Sequence, residues 1–378
     1  MSLLGLHVTL LMGPNVPLPV PPSVLELLDS LEVTHSDEGR SGFQLVFKAT
    51  RSTRAFMDYA LFMNPQFRPG NRVIISASFG AIPTVLMDGI ITNQQLTPPT
   101  GSDPAVLTLT GEDVSLKMDL EEKSAEHPAQ PDNIIAIKII ASYALYGMIP
   151  LVVPPLALDV PLPVDRIPVQ QATDLRYLTE LAARHAYVFY VKPGPVIGTN
   201  TAYWGPPIRV GLPQRALTVD MGPETNVESI NFENNATEAT TVRGAVQDRT
   251  TNQRMPVLTF LTTRPPLALN LPFLNPSTMR LERFRAESGQ NAAQAMAQAQ
   301  AQTDASMDVV KVEGELDTAS YGAPLQARGL VGLRGVGFSY DGLYYVKKVT
   351  HTIQTGQYKQ KFTLTREGTG STVPVVVP

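Results

Sequence analysis

The segment from Leu343 to Arg366 constrains this chain more than any other. Tyr358, Gln360, Phe362 and Leu364 alternate with Lys359, Lys361, Thr363 and Thr365. The run before it, Leu343 to Ile353, is β-branched or aromatic at most positions, and Gln354-Thr355-Gly356-Gln357 separates the two. Period-two patterning broken by a glycine-containing turn predicts a β-hairpin with one dry and one wet face. Strict alternation would put His351 on a face with Leu343, Tyr345, Val349 and Ile353, as a core or interface histidine. The segment reads as wall and carries no catalytic constellation.

The glycines just upstream, Gly329, Gly332, Gly335, Gly337 and Gly342, match neither GxGxxG nor the Walker spacing, and strands rather than a helix follow them. They are expected to permit turns, bulges or close backbone approach. The five histidines are dispersed, without HExxH or an i,i+4 pair, so no metal site is expected. His185 sits at a helix end, where a cation meets the C-terminal dipole favourably. Asp37-Glu38 and Glu121-Glu122 are sequence neighbours, whereas glycosidase carboxyls face each other across a cleft. No GxSxG or SxxK pattern occurs. Trp204, in Tyr203-Trp204-Gly205-Pro206-Pro207, reads as an interface plug, with a sugar platform as the sharper alternative. The expectation is a non-enzyme without catalytic residues, cofactor or metal.

With 378 residues and 43% hydrophobic content, the chain has material for two or three cores. A net charge of −4 with scattered basic residues argues against nucleic-acid binding. The absence of cysteine excludes disulfides and thiolate chemistry, and fits synthesis in a reducing cytoplasm. Charged residues are 17% of the chain, below the roughly 25% usual for soluble domains, which fits surface hidden in an assembly. The N-terminus lacks a basic n-region and a cleavage site, so no signal peptide is expected. The apolar stretch Ile134–Val164 is cut by prolines and falls short of the about 20 residues a membrane span needs.

Along the chain, residues 1–118 read as short strands separated by Gly, Pro and Asn, suggesting a small barrel or sandwich. Asp119–Asp132 is a linker candidate. Asn133 is expected to cap a helix over Ile134–Tyr146, which Gly147 and Pro150 stop. Thr173-Asp174 opens a second helix, with Leu175, Leu178, Leu181 and Ala182 at helical spacing, leading into the strand Tyr187–Val191. Strands follow over 215–248, and 250–284 resists assignment. Ala286–Gln302, AESGQNAAQAMAQAQAQ, is helix-prone but has no heptad stripe. It is either a solvated surface helix or an oligomerisation helix.

Three stretches share an order with a known family. They are FRPGNRVIISASFG…VLMDGIITNQQ from Phe67, ATDLRYLTELAARHAYVFYV from Ala172, and LVGLRGVG…GLYYV…VTHTI…FTLTREG at the C-terminal end. Together they resemble the phage late control D family, the baseplate hubs of contractile phage tails and related injection systems. The family is related to the hub part of valine-glycine-repeat spike proteins. Two departures stand out: Phe79-Gly80 replaces a small polar turn, and Ala186 stands where the family usually has glycine.

The resemblance implies an α+β, mainly β fold with two related small barrels, at 1–118 and 206–378, and a helix-containing insertion at 119–205. The second barrel would hold the Ala/Gln-rich helix 286–302 and the hairpin 343–366. Three copies would form a pseudo-sixfold ring adapting an inner tube to a threefold spike. The implied partners are a second and third copy, a separate spike protein, tube or tube-initiator proteins and other baseplate components, with no nucleic acid and no membrane insertion. The separate spike is expected because the chain stops at Pro378 without spike repeats or a lysozyme-like domain. The protein would be made in the bacterial cytoplasm and reside in the baseplate of a tail-like particle. Its candidate assembly surface is Tyr344, Tyr345, Lys347, Lys348, His351, Lys359, Lys361 and Trp204. The alternatives are a tail-tip cell-wall hydrolase and a peripheral carbohydrate-binding β-protein.

Overall fold

The computed structural model describes the chain apart from residues 1, 4–5, 15, 50–58, 80–81, 101–103, 156–159, 162, 165–166, 250, 275, 287–289, 374–375 and 377–378. Part of the Phe79-Gly80 turn and of the Ala286–Gln302 segment therefore lies outside the described residues. The chain is mainly β, and most strands join one 14-stranded sheet. Its path runs from Leu6–Gly13 through Arg72–Phe79, Ile82–Thr97, Ala105–Asp113, Gly42–Ala49 and Leu28–Ser36. It then crosses into the C-terminal hairpin, Gly342–Gln354 and Gln357–Arg366, and ends on Val310–Asp317 and Val227–Asn234. Two closed barrels were expected. Among the described residues the strand pairings form an open path, and the two halves share one sheet.

The hairpin forms as its alternation predicts, and it lies inside the sheet. Gly342–Gln354 pairs with Leu28–Ser36 on one side and with Gln357–Arg366 on the other. Its dry face serves two cores. Ile353 and Tyr358 at the tip pack with Leu31, Val33, Leu45 and Phe47 of the N-terminal half. Val346, Val349, Phe362 and Leu364 at the base pack with Leu217, Val312, Leu316 and Leu333. Between them the buried cross-strand pair His351–Gln360 interrupts the apolar face. Gln360 is fully satisfied: its amide donates to Thr318 Oγ1 at 2.8 Å and Ala323 O at 3.0 Å, and its carbonyl accepts from Leu325 N at 2.7 Å. A polar pair with good partners can sit inside a sheet face where an unpaired one would cost about 1–3 kcal/mol.

One side-chain assignment is corrected. The register slips between Val346 and Lys348, so Lys347 is a bulge residue and the facing reverses across it. Val346, Val349, His351 and Ile353 therefore share a face, opposite Phe362, Gln360 and Tyr358. Tyr345 turns to the other side, where it packs with Leu267, Leu330 and Leu343. Upstream, the glycines act in turns and close contacts: a Cβ on Gly335, at φ +93°, would lie 1.8 Å from the Val219 carbonyl.

A third core sits beside the sheet. The helices Asp132–Ala141 and Asp174–Ala183 cover a three-stranded sheet, Met148–Val152, Asn200–Gly205 and Val188–Pro193. Thr173 caps the second helix, accepting from Arg176 N at 3.3 Å, as the sequence suggests. The first helix differs from expectation. It starts at Asp132, without a side-chain cap from Asn133, and ends at Ala141. A 3-10 turn, Ala144–Tyr146, follows, and Gly147 closes it at φ +74°. The expected linker also differs: Glu122–Glu126 pairs with Val169–Thr173, its polarity explained by the exposure of alternate residues.

The Ala/Gln-rich helix spans Ala292–Ser306 and opens with a capping box between Asn291 and Gln294. It is neither free nor solvated all round. Ala295 and Ala299 are fully buried against Val242, Val246 and Val257 of a separate three-stranded sheet, and against Phe284 just beyond it. Small side chains let helix and sheet approach without a large apolar stripe.

Ala186 ends the Asp174–Ala183 helix region in a left-handed conformation, at φ +53°. Tyr187 N bonds back to Ala182 O at 2.9 Å, the six-to-one bond of a Schellman turn. An alanine there carries the Cβ penalty that glycine avoids. Ala186→Gly should raise unfolding stability by about 0.5–1 kcal/mol in urea titration. An unchanged or lower midpoint would mean that the turn is not strained.

Candidate assembly surface and its buried junction

Four of the eight expected surface residues are inside the chain, which is a correction. Tyr344, Tyr345, His351 and Trp204 are at most 2% exposed. Tyr344 Oη donates to Tyr340 O at 2.7 Å, and the Arg366 guanidinium stacks 4.3 Å from its ring centre. Trp204 fills the core under the helices Asp132–Ala141 and Asp174–Ala183 and donates Nε1–H to Leu178 O at 3.2 Å. His185 also differs from its dipole reading: its ring meets Asp132 in the first turn of the other helix, at 3.0 Å. An aromatic residue in a strand pattern reports burial, and the pattern cannot say whether its own chain or a neighbour supplies it.

The lysines do lie on the wet face. Lys348 and Lys361 are exposed, while Lys347 and Lys359 are half-buried. Lys347 pairs with Glu38 at 2.6 Å, and Lys359 with Glu228 at 2.7 Å and Glu315 at 3.1 Å. Lys359 and Lys361 belong to rows of polar side chains running straight across the sheet. Ser229, Glu315, Lys361, Thr350 and Thr34 are successive cross-strand partners. So are Asp317, Lys359, Thr352, Glu32, Gln44, Thr110 and Asn93. Exposed ion pairs contribute about 0–1 kcal/mol each, so the rows add little to folding. Their consequence is a hydrated face that runs unbroken from one half of the sheet to the other.

Beneath this face lies a residue that sequence reasoning missed. Arg328, 5% exposed and at φ +68°, reaches into all three parts of the fold. Its Nε donates to Ser36 O at 3.0 Å, its Nη2 to Ser41 Oγ at 3.0 Å, and its Nη1 to Val191 O at 3.2 Å. The guanidinium also lies 4.0 Å from the centre of the Tyr190 ring. A planar five-donor fork suits a site of several carbonyls, and lysine could not copy it. Nothing in QARGLVGL marks this arginine, because its partners are up to 292 residues away. A second buried ionic cluster joins Arg209 to Glu367 at 3.0 Å and to Asp308, with Glu367 also accepting from Ala268 N at 3.0 Å.

Burial governs titration at the same junction. His351 is held down to about 4 by burial, and its Nδ1 lies 3.0 Å from the Tyr358 hydroxyl. His35, edge-on to it at 5.9 Å, is pushed well below its ordinary value by burial and then by the positive fields of His351 and Arg328. Asp37 is pushed the other way, to about 6, chiefly by burial. No group of metal-ligating side chains occurs among the described residues.

No protein-family model matches this sequence, and no curated protein matches it. Solved structures do. A tail protein from Neisseria meningitidis superposes with TM-score 0.65 at 13% identity, covering 97% of this chain and 98% of that one. The 43 kDa tail protein of prophage MuSo2 from Shewanella oneidensis gives 0.64 at 12% identity, covering 96% and 98%. An Escherichia coli type VI secretion component, described as similar to the T4 tail proteins gp27 and gp5, gives 0.53 at 11% identity, covering 93% and 77%. These likenesses show a shared fold over nearly the whole chain.

Two outcomes follow from the junction. Arg328→Met should cost roughly 2–4 kcal/mol in denaturant, because it strands buried carbonyls in exchange for one relieved desolvation. A loss below 1 kcal/mol would remove its clamping role. For pH, the unfolded imidazoles bind protons below about 6.5 that folded His351 refuses until about 4, so stability falls across that window. Asp37 opposes this: unfolded it ionises near 3.8, folded near 6, so acidification between those values favours the fold at that residue. Asp113 is raised by burial as well and acts in the same direction as Asp37, so the imidazole contribution is read against a variant: between pH 6.5 and 4 the melting temperature of the wild-type chain should fall more steeply than that of His351→Gln.

Proposed function

We propose that this chain is the structural hub of a phage-tail baseplate or a related contractile injection system, acting by geometry without a chemical step. The observation that carries this reading is the whole-chain likeness to tail proteins, covering 97% of this chain and 98% of its Neisseria counterpart. A partial likeness would report a common module. Agreement from end to end supports the same order of β half, insertion and β half.

On this reading residues 1–118 and 206–378 are two related β modules and 119–205 is the insertion between them. Three copies form a ring in which six similar β modules meet a sixfold tube, while the ring keeps threefold symmetry for a spike protein. The sheet supports such a role. Its halves are joined by hydrogen-bonded strands instead of a linker, so their relative orientation is held, as an adaptor requires. Its polar rows offer a hydrated face common to both halves. Lys347, Lys348, Lys359 and Lys361 are the members of the candidate surface that remain available to neighbours. The protein works without a cofactor and resides in the assembled particle.

Native mass spectrometry of the purified chain should give a trimer, and cryo-electron microscopy of the intact particle should place three copies on the axis between tube and spike. Copies in outer positions would support the receptor-binding alternative, and lysis in a cell-wall zymogram would support a hydrolase. Lys348→Glu with Lys361→Glu should leave monomer stability within about 0.5 kcal/mol. The same double change should weaken the trimer in a salt-dependent way. A trimer indifferent to both would move the interface off this face.

A further inference from the structure

We infer that the cavity where the three cores meet is a binding site for a small organic carboxylate, one negative group on an apolar stem. The cavity holds about 390 Å³, within the range of small-molecule sites, and lies between structural units, where such sites concentrate. His35 comes from the N-terminal half, Lys192 from the insertion, and Arg328 and His351 from the C-terminal half. Its walls are otherwise mostly apolar, with Val85, Leu86, Pro193, Pro324 and Leu325 among them.

The electrostatics point to an anion. Four basic side chains line this one space, and no aspartate or glutamate stands among the described residues that line it. His35 is suppressed by His351, Arg328 and Lys192, and Lys192 by Arg328. The carboxylates that Arg328 senses, Asp113 and Asp37, are not part of the wall. Two cations, Lys192 and Arg328, and two imidazoles held neutral share a wall that carries no carboxylate, and an entering anion would stabilise the charged form of each.

The arrangement is graded from mouth to floor. Lys192 is exposed at the mouth, where its ammonium donates to Gln326 Oε1 at 2.9 Å, a neutral partner that an anion can outbid. Thr84 and Thr201 supply hydroxyls along the walls. The Arg328 guanidinium spends its donors on Ser36, Ser41 and Val191, so it contributes field and not contact. The site is independent of the assembly reading, since every lining group belongs to one chain.

The test is calorimetry on the full chain at pH 6 with hexanoate, hexanol and hexylamine, alongside NMR of the histidine rings. Hexanoate should bind, with the alcohol and the amine weaker by about tenfold or more, one charge-assisted hydrogen bond's worth. Its binding should shift the His35 and His351 resonances toward the protonated form. Lys192→Gln, a change at an exposed position, should lower hexanoate affinity by about tenfold while the melting temperature stays put. Equal binding of acid and alcohol would overturn the anion assignment. So would a Lys192→Gln variant that binds as tightly, or a wild-type chain showing neither heat nor a histidine shift at millimolar hexanoate.

Discussion

Everything in this molecule depends on one seam, the pairing of Leu28–Ser36 with Gly342–Gln354. It joins the first tenth of the chain to the last, and makes two half-sheets into one. The seam is held in two ways. Ile353 and Tyr358 lend the N-terminal core apolar side chains from the C-terminal hairpin, each contributing about 1.5–3 kcal/mol of burial. Arg328 then ties the seam to the insertion through three carbonyl or hydroxyl acceptors and an aromatic face. Against these, the surface ion pairs of the lysine rows are minor, and their value lies in hydration and recognition.

The seam also explains why buried polar groups collect there. Two cores that share one strand face leave a strip between them that neither fills with apolar side chains. His351, Gln360 and Arg328 occupy that strip, with the half-buried His35 beside His351. Gln360 finds three partners and stabilises the boundary. The imidazoles stay neutral because burial and their positive neighbours disfavour the charged form. The same basic side chains that make the junction sensitive to acid line the proposed anion site.

Much of the local structure was legible. The Gln357–Arg366 alternation predicts its strand, Thr173-Asp174 predicts a helix start, and Tyr187–Val191 predicts the strand after it. Each rests on contacts within a few residues, where periodicity and capping chemistry act. The Lys347 bulge was not legible, because one extra residue reverses the facing of everything before it without altering composition. The alanine helix was legible, but its packing was not, because its contact with Val242, Val246 and Val257 needs only small side chains and leaves no apolar stripe. The wet face could be read from its lysines. The burial of Tyr344, Tyr345, His351 and Trp204 within one chain could not.

The sequence by itself determined the hairpin, the helix–strand unit and the mainly β character, since short-range patterning suffices for them. It determined as well, through glycine at Gly335 and its neighbours, where the backbone turns back on itself. Only the tertiary structure decided that the hairpin is the centre of a sheet and not its rim, and that Arg328 is a clamp. The physical reason is distance along the chain. A hydrogen bond between Arg328 and Ser36 spans 292 residues, and no local preference carries information over that separation.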